Sequence, residues 1–87
     1  MRFSKKIDWF GMWFEDRMSI LDTMMRNLRA DLDAGYNPTG AAVTKQKNEI
    51  ENCRRNFYDT MDQFRLMTED ETQHYCFYDL KKRGAIA

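Results

Sequence analysis

His74 and Cys76, with Asp70, Glu71 and Asp79 close by in sequence, are the residues of this chain whose types could bind a metal. On a helix, residues two apart point about 200° away from each other, so His74 and Cys76 cannot close one site there. A structural zinc site also takes four ligands, and the chain has no second Cys/His pair to complete one. Covalent or acid–base catalysis asks for a nucleophile, a base and an orienting group around a pocket. A single histidine supplies no such set. Glu15 with Asp16, and Asp31 with Asp33, read as solubilising charge on polar faces, and the glycine spacing matches no phosphate-binding loop. The expectation is a chain that is not an enzyme and has no metal or cofactor site. His74 reads as a surface or flank residue, and Cys53 and Cys76 as small core residues.

Lys45, Lys47, Arg54 and Arg55 could touch phosphate, but Glu49 and Glu51 lie among them. Fourteen basic residues balance fourteen acidic ones, so the chain carries no overall field of the kind a nucleic-acid binder uses. Nucleic-acid association is therefore the weaker alternative. So is a membrane-surface role, which Arg2, Lys5 and Lys6 ahead of a Trp/Phe-rich helix suggest and Asp8, Glu15 and Asp16 oppose. No stretch approaches the roughly 18 to 20 apolar residues of a membrane span. With two cysteines and no signal-peptide pattern, the expected setting is cytoplasmic, with reduced thiols.

The elements that carry these residues are helical. Eighty-seven residues make one domain, and one proline with four glycines leaves little room for a hairpin-rich β fold. Residues 5–34 predict a first helix, in which Ile7, Phe10, Phe14, Met18, Leu21, Met25, Leu28 and Leu32 form one stripe meant for the core. Gly35 suits the left-handed residue that ends it. Asn37 and Pro38 predict a cap and first residue for a second helix over 38–67. Its stripe is Val43, Ile50, Cys53, Phe57, Met61 and Phe64. Thr68 and Glu71 match a capping box that opens a third helix over 69–83, with Lys81, Lys82 and Arg83 at its negative end and a frayed tail over 84–87. A single long helix through Thr68 is the competing reading, and the β-formers between Thr72 and Tyr78 are a second tension. The expected fold class is all-α: an antiparallel hairpin of two long helices plus a shorter C-terminal helix, as a three-helix bundle or a hairpin dimer.

The first helix has a surplus. Both tryptophans and two phenylalanines fall within residues 9–14, and aromatic side chains carry the largest burial payload. Trp9, Trp13, Ile20 and Met24 form a second apolar line about 100° around from the first, and it stops where Asn27 and Asp31 follow. Its cover comes either from the third helix through Cys76, Phe77 and Leu80, from a second copy of the chain, or from another protein. Trp9, Met12, Trp13, Ile20 and Met24, with Tyr75 and Tyr78 lying off the third helix's own apolar line, are the expected contact residues, since aromatics and methionine are enriched in interface cores. The expected function is a small protein-interaction module, partnered by another protein or by itself. In composition it resembles small helical proteins of phages and mobile elements, inhibitors of host defence among them, an analogy of look alone.

Overall fold

The computed structural model describes residues 7–87. It contains three helices, α1 (Trp9–Asp33), α2 (Ala41–Phe64) and α3 (Glu69–Lys82), with α1 packed on both of the others. The expected start of the first helix at residue 5 lies outside the described residues. Within them α1 begins where Asp8, in extended backbone, accepts a hydrogen bond from the Gly11 N–H at 3.0 Å. It ends in a Schellman turn: Gly35, at φ 98°, donates to Leu32 O and Tyr36 donates to Asp31 O. Gly84, at φ 75°, closes α3 in the same way, through Lys81 O and Leu80 O.

The cap expected at Asn37 and Pro38 is displaced by one turn. Asn37 Oδ1 accepts from the Thr39 N–H and hydroxyl, and the Gly40 N–H donates to Asn37 O at 2.9 Å. Residues 37–40 thus form a β-turn, with proline's fixed φ at its second position and an asparagine side chain folded over its own backbone. Gly40 becomes the N-cap, without a side-chain bond, and α2 starts at Ala41. α2 also stops short of residue 67, because Arg65, Leu66 and Met67 donate to carbonyls three residues back. That tightening frees Thr68 to adopt extended backbone and cap α3. The capping box is complete, with Glu71 N–H to Thr68 Oγ1 at 3.2 Å and Thr68 N–H to Glu71 Oε1 at 2.9 Å. The third helix is therefore separate from the second, and the β-rich stretch inside it is helical.

α1 and α2 run antiparallel, with Phe10 against Phe64 at one end and Asp31 hydrogen-bonded to Gln46 at the other. α3 folds back over the first half of α1 only. The core sits there: Trp13, Phe57, Cys76 and Leu80 are buried, surrounded by Trp9, Phe10, Phe14, Met61, Phe64 and Ile86. Ile86 corrects the expectation of a frayed tail, since the turn at Gly84 returns it to the core. The molecule is long and thin, 52 × 26 × 17 Å with a radius of gyration of 16.2 Å. A compact domain of this length would have about 12 Å.

Candidate protein-interaction surface

Trp13 is the centre of the molecule, at 0% exposure. On the helical wheel of α1 it falls between the sector facing α2 and the sector facing α3, so both helices cover it. Phe57 stacks on its ring at a centroid distance of 5.6 Å and Phe64 meets it edge-on at 5.1 Å. α3 supplies the polar partner: the indole N–H donates to Asp79 Oδ2 at 2.7 Å. The same oxygen accepts from Arg17 at 2.8 Å and lies 3.3 Å from Arg83 Nε, and Arg83 also pairs with Asp16. The Arg17 guanidinium sits 5.5 Å from the centroid of the Trp13 ring. Burial acts to raise the Asp79 pKa, but hydrogen bonds from Arg17 and Trp13, with the charges of Arg17 and Arg83, outweigh it and hold the carboxyl below its ordinary value.

A second device joins α3 to the start of α1. Gln73 Oε1 accepts from the Trp9 N–H at 2.8 Å and the Phe10 N–H at 3.3 Å, while its amide nitrogen donates to Asp8 Oδ1. Two donors that a helix start leaves unpaired are thus satisfied from another helix. The Gly11 N–H and the Gln73 side chain hold the Asp8 carboxyl below its ordinary value. Gln73, Arg17 and Asp79 are the functional groups that periodicity alone missed. A signal existed in the charges: Arg17 interrupts the apolar arc of α1 between Phe10 and Trp13, and Asp79 stands one turn from Cys76 on α3.

The metal-ligand types do not converge. Cys76 is buried in the core, and burial, reinforced by the charges of Asp79 and Asp8, pushes its thiol up to about 12. Among the described residues, no group of three or more His, Cys, Asp and Glu is placed to hold a metal ion. Among the same residues, no helix is long and apolar enough to cross a membrane.

The seven expected contact residues scatter. Trp13 is inside, so it is not a surface contact: α3 fills the sector that the sequence left open. Trp9 is half-buried, edge-on to Phe77 at 4.8 Å. Met12 is exposed beside Ile7, Trp9 and Ile86, on a shallow groove. Tyr75 lies against Phe64 at 5.4 Å and Tyr78 against Phe77 at 5.5 Å, both partly exposed. Ile20 is exposed beyond the reach of α3, and Met24 lines a cleft of about 400 Å³ with Asn27, Asp31, Gln46 and Ile50.

Beyond Arg17, no residue of α1 is fully buried, and the facing stretch of α2 buries Val43. Met18 and Met25, expected in the core, are 43% and 55% exposed, and Tyr58 is 61% exposed. For the two methionines the reason is direction: they lie about 160–180° around α1 from Trp9, on the flank away from α3 and past the edge of the contact with α2. Two helices alone can cover only one side of each other, and the bundle becomes two-layered where the third helix ends. Comparison with protein-family models, with curated proteins and with solved structures finds no match for this chain.

Proposed function

We propose that this chain is a small non-enzymatic protein-interaction module that docks partners on the open half of its helical hairpin. The observation that carries the reading is the apolar surface left open on α1 beyond Arg17. Ile20 stands exposed past the end of α3, and Met18 and Met25 stand exposed on the opposite flank. Met18 and Met25 lie about two turns apart on one flank, and Ile20 and Met24 about one turn apart on the other. Grouped apolar side chains of this kind mark interaction sites more often than decoration. The reactive groups support the non-enzymatic half of the proposal, because each has a structural task. Asp8 and Glu71 cap helices, Asp79 is neutralised by two arginines, and the Cys76 thiol is kept protonated inside the core. Arg54 and Arg55 both reach Glu51, which disfavours the nucleic-acid alternative. A module of this kind acts by occupying a partner's surface, the mode of a small inhibitor.

The test is affinity capture from the source cell's extract with the wild-type chain and an Ile20→Asp, Met24→Asp variant, both checked for folding by circular dichroism. The proposal expects a specific protein retained by the wild type and lost by the folded variant. Equal retention by both, or no retention by either, overturns it.

A further inference from the structure

We propose that the flank of the hairpin carrying Met18 and Met25 is closed by a second copy of this chain, with the two α1 helices antiparallel across a two-fold axis. This rests on the reading of the open half as a docking surface and names one of its occupants. On α1, Phe14, Met18, Leu21, Met25, Leu28 and Leu32 are spaced four, three, four, three and four residues apart. That is a heptad seam, the pattern that keeps one apolar line facing a neighbouring helix over several turns. α2 answers with Val43, Ile50, Phe57 and Phe64, seven residues apart. Within one chain the seam is used on one side only: Leu21 and Leu28 are half-buried, whereas Met18 and Met25 face out. By helical period Met18 lies about 180° around α1 from Trp9. It is therefore on the flank away from α3, so a second copy can approach without displacing that helix. Two hairpins joined face to face would give the open half four helices, enough to enclose a core.

The charges select a second copy and set its direction. With the axis between Met18 and Met25, each Met18 meets the Met25 of the other chain, and each Glu15 comes opposite Arg29. By helical period Glu15 and Arg29 both lie within about 60° of Met18, on the same flank. Neither forms an ion pair with another described residue of its own chain. The antiparallel arrangement offers each the opposite charge, twice over by symmetry. Near the axis, Asp22 is already neutralised by Arg26 of its own chain at 2.9 Å. The whole chain is neutral, so two copies approach without net repulsion.

Sedimentation equilibrium of the full chain across a concentration series tests this. The wild type is expected to reach twice its 10.5 kDa mass, and Met18→Asp with Met25→Asp to stay at the single mass with unchanged helicity. Glu15→Arg is expected to weaken association about tenfold, as two exposed pairs turn repulsive. Glu15→Arg combined with Arg29→Glu is expected to restore it, a rescue that a merely structural role would not give. A wild type that remains at 10.5 kDa throughout, a methionine variant that still dimerises, or a charge swap without rescue overturns the proposal. A monomeric chain whose Ile20→Asp, Met24→Asp variant still loses a captured protein would overturn self-association alone and leave the interaction reading standing.

Discussion

Asp79→Ala removes the group on which the cover of Trp13 turns. The carboxylate oxygen Oδ2 takes the indole N–H at 2.7 Å and the Arg17 guanidinium at 2.8 Å, in a pair whose side chains are each 17% exposed. Without it, the fully buried indole N–H loses its acceptor, at a cost of about 1–3 kcal/mol. Removing one partner of a buried ion pair costs about 3–5 kcal/mol, and the residual exposure of Arg17 places this pair toward the low end. These two losses overlap, so the expected total is about 3–4 kcal/mol. In a domain of this size that lowers Tm by roughly 12–30 °C. The control is Asp22→Ala, whose pair with Arg26 is exposed, 60% and 80% on the two side chains, and should cost under about 1 kcal/mol. Urea unfolding followed by circular dichroism and tryptophan fluorescence reads both. Equal destabilisation by the two substitutions would refute the claim that the Asp79 cluster locks α3 onto α1. The same cluster fixes an acid dependence. Burial opposes ionisation of Asp79, yet the Arg17 and Trp13 bonds hold its folded-state pKa below the unfolded value. Its contribution is therefore present in full above the unfolded pKa, near 4, and is lost as pH falls through the lower folded value. Wild-type stability should fall over that acid range more steeply than that of Asp79→Asn.

Gln73→Ala should strip the cap from the Trp9 and Phe10 N–H groups and cost about 1–2 kcal/mol in urea unfolding; a loss within error would show that water replaces it freely. The two thiols should differ sharply toward iodoacetamide. Half-buried Cys53 reacts in the native protein, while buried Cys76, with its thiol near 12, reacts only after unfolding. Equal native rates would contradict the packing of α3.

The sequence made the number and order of helices legible, because their signals are local: 3.6-residue periodicity, the glycines at 35 and 84, and the Thr68 capping box. Asn37 and Pro38 misled by one turn because the same pair suits the first two positions of a β-turn as well as a helix start. The assignment of Phe10 and Phe14 to the core and of Trp9 and Trp13 to a second line was half legible. All four pack at the core, yet Trp13 is the most buried, since the centre of a three-helix cluster lies between two stripes rather than along either. Met18 and Met25 looked like core for the complementary reason: periodicity says that an arc is apolar and nothing about how far around that arc the neighbouring helices reach. Gln73 and Asp79 act across helices, through bonds that span more than sixty residues of sequence.

Amide hydrogen exchange, resolved by residue at low protein concentration, tests the central claim most directly. If α3 covers only the first half of the hairpin, amides of α1 around Trp13, of α2 around Phe57 and of α3 around Cys76 should exchange only through global unfolding. Amides beyond Leu21 on α1 and before Cys53 on α2 should exchange faster, through local opening of a two-helix half with little buried apolar surface. That second set should slow as concentration rises or a captured partner is added. Uniform protection along both long helices at every concentration would contradict the account.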